Sequence, residues 1–183
     1  MGYGWEGESV RLVPLDIDRH FENCMRWMND PEVTQHLLIG DHPITRLAER
    51  EWFDEAMKVK DHSVMFAIEL LDGTHLGNTG IFGMSAQHRT GNTGSFIGER
   101  ANRGKGFGTD AARVRARYAF DVLGLRMLLS GYLGDNERSG AMLRKVGFIE
   151  YGKLPNAYWK RGRFVDETKM YLDVDRWREL TSS

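Results

Sequence analysis

In the stretch RGKGFGTDAA, Arg103–Ala112, three glycines alternate with Arg103, Lys105 and Phe107, and a helix-forming run follows. Glycines let neighbouring main-chain N–H groups converge on an anion, and a helix N-terminus adds partial positive charge. A tight strand-to-helix turn with positive φ would need only one glycine. The three glycines, with the charges of Arg103 and Lys105, therefore indicate a loop that binds a pyrophosphate.

Two common phosphate-binding motifs do not fit this stretch. A Walker loop requires Ser or Thr directly after Gly-Lys, and Lys105 is followed by Gly106. A dinucleotide fingerprint belongs to the first strand–helix unit and expects an acidic residue at a strand end about twenty positions later. Asp121, near that distance, falls inside the predicted helix instead.

The composition bounds the class of protein. The chain has 183 residues, 41% of them hydrophobic, and a formal net charge of -1. That length and apolar fraction predict a single domain over residues 1–183. Lone Cys24 cannot form an internal disulfide, and no run approaches the ~18 apolar residues of a membrane span. We expect a cytoplasmic protein with no membrane partner.

The near-neutral charge gives no support to a nucleic-acid partner, because such binders usually carry a basic excess. Basic residues gather locally at Arg113, Arg115 and Arg117, and in WKRGR at 159–163. Both clusters are interpreted as solvated surface. No metal site is expected.

The order of elements predicts a mixed α/β domain built around one sheet. Apolar residues at three- and four-residue spacing predict a helix up to Met28, and Thr45 is a plausible N-cap for a second helix that buries Leu47, Trp52, Phe53, Ala56 and Met57. Asp72-Gly73 predicts a hairpin, and PNAYWKRGRF (155–164) predicts a turn-rich connection. The predicted strands are 9–15, 63–70, 75–83, 92–99, 126–133, 148–154 and 167–174, and the predicted helices are 16–28, 46–60, 107–123 and 135–146.

Several motifs in order resemble the GNAT acetyltransferases. The glycine loop fits their R/Q-x-x-G-x-G/A motif, and DNERSGAMLRKVGF (135–148) is similar to their asparagine-led helix that ends in Lys-x-Gly-Phe. The tail GRFVDETKMYL (162–172) and the segment WMNDPEV (27–33) look like the ribosomal-protein N-terminal (RimJ/RimL-like) branch. LGNTGIF (76–82) also agrees, so the resemblance covers nearly the whole chain.

The resemblance implies a fold and a cofactor. The fold would be a central, mostly antiparallel twisted sheet of about seven strands flanked by about four helices. The cofactor would be acetyl-CoA, with its pantetheine arm lying beside the strand Thr93–Gly98 and a main-chain N–H polarising the thioester carbonyl. The cofactor-binding residues implied are Phe96, Ile97, Gly98, Arg103, Gly104, Lys105, Gly106, Phe107, Gly108, Thr109 and Asn136.

The residue that would donate a proton to the leaving thiolate differs from the family pattern. Where many members carry a tyrosine, this chain has Leu143, which cannot donate a proton. Ser139 lies one helical turn earlier on the same face and is the candidate donor to sulfur. An ordinary helix-capping or solvent-facing serine is an equal alternative. Asn136 suits an N-cap as well as a cofactor contact.

The sequence does not identify one catalytic base. Related enzymes often place Glu near Asn92-Thr93, and this chain has no carboxylate there. Glu99, at the strand end, is ranked first as catalytic base. His88 has a suitable pKa, and a water chain without a dedicated base is equally consistent. Asp166 matches a family position but is interpreted as a turn or salt-bridge residue.

The resemblance implies an amine acceptor held by the segments 35–46 and 156–164. Segment 35–46 offers only Asp41 as a carboxylate, which disfavours a polyamine. A protein or peptide N-terminus or a small amine is expected, with a polyamine or amino sugar as the alternative. A non-catalytic CoA-binding sensor and an unrelated nucleotide module remain open, and a homodimer is possible.

Overall fold

The computed structural model describes residues 5–39 and 41–182. Seven strands form one sheet in the order β1-β2-β3-β4-β5-β7-β6. All neighbouring strands run antiparallel except β4 and β5. The strands are β1 Val10–Pro14, β2 Val64–Leu70, β3 His75–Ser85, β4 Thr90–Ile97, β5 Met127–Leu133, β6 Ile149–Lys160 and β7 Arg163–Asp173.

Six α-helices cover the two faces of this sheet. They are α1 Ile17–Met28, α2 Pro31–Thr34, α3 Arg46–Ala56, α4 Phe107–Arg117, α5 Glu137–Val146 and α6 Val174–Thr181. A 3₁₀ turn at Arg100–Asn102 precedes α4, and a π-helical turn at Tyr118–Val122 extends it. The predicted mixed α/β fold with a mostly antiparallel seven-stranded sheet is therefore confirmed, with α2 and α6 in addition to the predicted helices.

Side-chain caps fix where several helices begin. Asp16 accepts the N–H groups of Asp18 and Arg19 at the start of α1, and Thr45 caps α3 as the sequence predicts. The prediction for the buried face of α3 is partly wrong. Phe53 is fully buried, but Leu47 is 69% exposed, and Trp52 and Met57 are also exposed.

The last two strands are longer than predicted. The segment expected as a turn-rich connection instead continues β6 to Lys160, and the chain reverses at Arg161 and Gly162, which both have positive φ. Asn156 takes a left-handed conformation at an irregularity between Leu154 and Tyr158, so the strand absorbs these turn-favouring residues. Because β6 is the edge of the sheet, Pro155 interrupts no central ladder.

The core lies on both faces of the sheet. One face packs α1 and α3 on the middle strands through residues such as Phe21, Trp27 and Phe53. The other face packs α4, α5 and α6 through residues such as Ala112 and Leu143. These two layers hold β4 and β5 at the centre of the molecule, where the sheet changes from antiparallel to parallel pairing.

Candidate active site

The sheet opens between β4 and β5. These strands pair in parallel over Thr90–Asn92 and Met127–Leu129 and then diverge. Two side chains mark the last links: Thr93 Oγ1 donates to Leu129 O at 3.1 Å, and Ser130 Oγ donates to Thr93 O at 3.3 Å. Beyond these links the two strands enclose a gap, called the fork below.

One edge of β4 faces the fork. Gly98 N donates to Leu76 O on β3, and the β3–β4 register then directs the main chain of Phe96 and Gly94 toward β3. Adjacent residues in a strand direct their polar main-chain groups to opposite sides, so those of Ser95 point into the fork. This is the edge beside which an extended chain could add hydrogen bonds.

The glycine loop lies at the open end of the fork. Gly104 and Gly106 have φ of 78° and 91°, and Gly106 forms the N-cap of α4 without a side-chain cap. The first N–H groups of α4 are therefore left for an anion. A cavity of about 500 Å³ lies against this loop. The predicted cofactor residues that line it are Phe96, Ile97, Arg103, Gly104, Gly106, Gly108, Thr109 and Asn136.

Three predicted cofactor residues have other surroundings. A Cβ added to Gly98 would meet the Trp27 ring at 2.1 Å, so this glycine allows close packing of α1 on β4. Phe107 packs against the core cluster of β1, β2 and α4. Lys105 is exposed. Their predicted cofactor contacts stay predictions.

The Arg103 guanidinium folds back on the main chain. It donates to Ile97 O at 3.1 Å, Gly98 O at 2.8 Å and Glu32 O at 3.2 Å. These bonds fix the end of β4 against α2. Arg103 therefore shapes the cavity as well as placing a positive charge beside it.

The start of α5 faces Gly106 across this cavity. Asn136 caps the helix by accepting the Ser139 N–H at 3.3 Å, and Ser139 itself is half-buried. Leu143, on the same face, is 1% exposed and packs in the core. The Asn136 side chain thus serves as the predicted N-cap while lining the cavity.

A second cavity, of about 700 Å³, continues from the first through the fork. Ser95, Phe96, Asn136 and Ser139 line both cavities, so the fork is where they meet. The second cavity extends toward α3 and the loop before it, with apolar walls from residues such as Met28, Trp52 and Leu37. A ligand in either cavity would reach the other at Ser95 and Ser139.

Glu49 of α3 lines the second cavity and is missed by the sequence analysis. It is only 5% exposed, and its carboxyl makes no hydrogen bond or ion pair with any described residue. Burial raises the pKa of this carboxyl above its ordinary value. A signal existed, because Glu49 lies one helical turn before Phe53, on the face predicted to be buried.

Arg115 of α4 also lines the second cavity and corrects the interpretation of its cluster as solvated surface. Arg113 and Arg117 are exposed, but Arg115 is 1% exposed. Its Nη1 donates to Thr79 Oγ1 at 2.6 Å and to Gly94 O at 2.9 Å. Burial lowers the pKa of its guanidinium to about 10, which leaves it charged at neutral pH.

The two predicted bases lie elsewhere. The Glu99 carboxylate accepts hydrogen bonds from Arg26 and from Trp27 Nε1, the latter at 3.0 Å. His88 is exposed in the loop between β3 and β4. Among the described residues, neither Glu99 nor His88 lines either of these two cavities. Glu167 of β7 does line the second one, with its carboxylate 3.6 Å from Lys169 Nζ.

The tip of the β6–β7 ribbon contacts the end of α2 and the segment between α2 and α3. Lys160 is 5% exposed and bonds Asp41 at 2.9 Å, so this part of WKRGR is not solvated surface as interpreted. Arg161 donates to Thr34 Oγ1 at 3.0 Å. These contacts join the two segments expected to hold an acceptor, although Gly40 of the first lies outside the described residues. Burial, with repulsion from three nearby arginines, lowers the pKa of His36 between them.

A parallel fork beside an uncapped, glycine-led helix defines an α/β domain suited to a long phosphate-bearing ligand that lies across the sheet. Residues 9–149 match the family model described as Acetyltransferase (GNAT) domain. The chain belongs to this family. No helix of the described residues is long and apolar enough to cross a membrane.

Relatives and solved structures agree with that assignment. The chain is 28% identical to the "Putative ribosomal N-acetyltransferase YdaF" of Bacillus subtilis over 92% of both chains. It is 26% identical to the "Uncharacterized N-acetyltransferase YoaA" of the same organism, over 91% of this chain and 95% of the relative. A Vibrio cholerae spermidine N-acetyltransferase in complex with CoA and spermine shares the fold, with TM-score 0.83, 18% identity and coverage of 92% and 97% of the two chains.

Proposed function

We propose that this protein transfers the acetyl group of acetyl-CoA to a primary amine by direct transfer in a ternary complex. The observation that carries the proposal is the meeting of two cavities at the fork. One cavity ends at the glycine loop and the other at α3, and Ser95 and Ser139 belong to both. Two ligands bound from opposite sides would bring their reactive ends together there, and such positioning removes much of a bimolecular barrier.

The first cavity supports the cofactor end of this proposal. The pyrophosphate would bind the N–H groups of the loop around Gly106, with the positive end of α4 behind them. The pantetheine arm would then hydrogen-bond the exposed main chain of Ser95 along β4, and an N–H there would polarise the thioester carbonyl. Phe96, Ile97 and Asn136 would flank the arm.

The acyl transfer step needs a neutral amine and a stabilised leaving group. The amine nitrogen attacks the thioester carbonyl carbon, the C–S bond breaks, and the electron pair passes to sulfur. Glu49 is the proposed acceptor of the ammonium proton, because it faces the second cavity unpaired and its raised pKa lies closer to neutrality. Ser139 is the proposed hydrogen-bond donor to sulfur.

Glu99 is better suited to a supporting role than to that of a base. Its carboxylate holds Arg26 and Trp27, and Trp27 packs against Gly98 at the end of β4. Glu99 would thus fix the strand along which the cofactor lies. Because Glu99 lines neither of the two cavities, its carboxylate is not placed to take a proton from an acceptor bound there.

A peptide N-terminus or a small amine is the acceptor that we favour. The second cavity has apolar walls, one unpaired carboxyl at Glu49, and Glu167 beside Lys169. A polyamine needs several carboxylates to hold its charges, and Asp41 is occupied by Lys160. The likeness to a putative ribosomal N-acetyltransferase supports a protein N-terminus, the acceptor of the RimJ/RimL-like branch, over a polyamine or amino sugar.

Amine-dependent release of free thiol from acetyl-CoA tests the proposal. The panel would contain N-terminal peptides, amino acids, amino sugars and polyamines. Gly106→Glu is the binding-deficient variant, since the new carboxylate would enter the cavity at a position with φ of 91°. Gly73→Glu is the matched control, since Gly73 has φ of 94° in the β2–β3 turn, away from both cavities.

We expect release with the wild type and Gly73→Glu and none with Gly106→Glu. Undiminished release in Gly106→Glu would overturn the role of the glycine loop. Binding of acetyl-CoA in calorimetry without release on any amine would replace the enzyme with the sensor alternative.

A further inference from the structure

Arg115 has alanines as its neighbours on one face of α4 and of the π-helical turn that follows it. Ala111 and Ala112, three and four positions before it, are fully buried, and Ala119 follows four positions later. Residues at these spacings share one helix face. The alanines leave room beneath the sheet, and the Arg115 guanidinium fills it under β3 and β4.

The guanidinium has hydrogen-bond acceptors but no anion. Its two bonded partners, Thr79 Oγ1 and Gly94 O, are neutral. Its Nε has no hydrogen-bond partner among the described residues. A buried charge without a counter-charge is costly, and such groups are usually paired. An anion bound in the cavity that Arg115 lines would supply the missing counter-charge.

The position of Arg115 identifies that anion. Arg115 lines the second cavity together with Ser139 and Leu143, and its guanidinium lies under β3 and β4, where it contacts Thr79 and Gly94. The phosphates of a cofactor would lie in the other cavity, which Arg115 does not line. The negative charge that the reaction creates at the fork is on the coenzyme sulfur, and Leu143 offers that sulfur no hydrogen bond.

We propose that Arg115 is a catalytic residue that stabilises the coenzyme thiolate as the C–S bond breaks. The electron pair of that bond stays on sulfur, which leaves as a thiolate facing the guanidinium. The proton lost by the amine goes to Glu49 and then to solvent, so no proton has to reach sulfur during the step. This inference rests on the proposed function, because it requires CoA to bind in the fork.

Titration of the bound CoA thiol tests the inference without turnover. The thiolate absorbance of enzyme-bound CoA would be followed against pH, with the desulfo analogue of CoA in the blank. Burial raises the pKa of the protein's own Cys24 to about 12, so its thiol contributes little. Arg115→Met removes the charge, Arg115→Lys keeps it, and Arg113→Met removes an exposed charge from the same helix.

A nearby cation favours the thiolate, so the thiol of CoA bound to the wild-type enzyme should have a lower pKa than the thiol of free CoA. Arg115→Met should raise it by at least about one pH unit, Arg115→Lys should restore part of the effect, and Arg113→Met should match the wild type. With an active acceptor, Arg115→Met should lower kcat on the order of 10²-fold with little change in KM.

Two results separate the possible failures. If calorimetry shows no CoA binding to the wild type, the proposed function itself fails. If CoA binds and Arg115→Met leaves its thiol pKa unchanged, only the role of Arg115 is overturned. A rise confined to the KM of carboxylate-bearing acceptors would also overturn it and would assign Arg115 to the acceptor. Arg115→Met should remain folded in thermal denaturation, since it removes a buried charge that has no counter-ion.

Discussion

Two of the regions that bury charged side chains treat these charges differently. At the β1–β2 edge, Glu69 is fully buried and accepts hydrogen bonds from Arg11, Arg19 and His20. His20 Nδ1 accepts the Asp16 N–H at 3.0 Å, which leaves Nε2 to donate to Glu69. Along the second cavity, Glu49 and Arg115 are nearly as buried, and neither has an ionic partner among the described residues.

The difference separates charges that are paired within the fold from charges that line a cavity without an ionic partner. Burial opposes ionisation of Glu69, but its three donors outweigh burial and hold the pKa of this carboxyl below its ordinary value. For Glu49 burial acts alone and raises the pKa. A group whose pKa is shifted by burial and that faces a cavity is a candidate for function. We therefore expect a substitution by Gln to destabilise the fold at Glu69 but not at Glu49.

The largest effect is expected at the paired site. Glu69→Gln should lower the free energy of unfolding by about 3 kcal/mol at pH 7. It removes a buried anion from buried His20 and from the partly exposed Arg11 and Arg19. Glu22→Gln is the matched control, since Glu22 also pairs with an arginine, Arg46, but is exposed. Its loss should be much smaller, because an exposed ion pair contributes little to stability. Urea denaturation measures both, and equal losses would contradict the comparison.

The pH dependence of stability follows from the lowered pKa of Glu69. Its contribution is present above the ordinary carboxyl pKa and is lost as the pH falls through the lower folded value. In Glu69→Gln, the free energy of unfolding should no longer show this loss as the pH falls.

A smaller effect, on rate rather than folding, is expected at Glu49. Glu49→Gln should lower kcat/KM on the order of 10²-fold by removing the proton acceptor. It should not destabilise the fold, because the folded pKa of Glu49 is raised and its ionised form opposes folding above the ordinary carboxyl pKa. Glu51→Gln, on the exposed face of the same helix, is the control.

Wild-type kcat/KM should also rise with pH through the raised pKa of Glu49, and this limb should be missing in Glu49→Gln. A pH–rate profile with the same limb in both proteins would exclude Glu49 as the base.

The smallest effect is expected at Glu99, whose carboxylate is 43% exposed. Glu99→Gln should keep a hydrogen bond to Trp27 and change kcat by less than about threefold, as an exposed ion pair contributes little. The expected change is in KM for acetyl-CoA, since Trp27 packs on the end of β4. A loss of kcat on the order of 10²-fold would return Glu99 to the role of base.

The sequence predicted what local chemistry determines. The glycine loop, the caps at Thr45 and Asn136, and the order of strands and helices all depend on short stretches. The length of β6 was missed because Asn156 and Pro155 favour turns locally, whereas pairing with β7 along the sheet edge overrides them.

The sequence indicated candidate site residues only where a motif marks them. Glu49 and Arg115 come from helices distant in sequence, and neither belongs to a motif. Arg115 lies between exposed Arg113 and Arg117, so its cluster resembled a solvated face. Whether such a charge is surface or site depends on which strand the helix covers, and that is a tertiary property.

The fork also divides the sheet mechanically. Strands β1–β4 and β5–β7 are joined through three parallel register pairs and the two side-chain links of Thr93 and Ser130. A coenzyme arm hydrogen-bonded in the fork would act as an additional strand that ties the halves together. Occupancy would then couple their unfolding, so that amide hydrogen exchange in β5 slows when a ligand bound to β4 stiffens the seam.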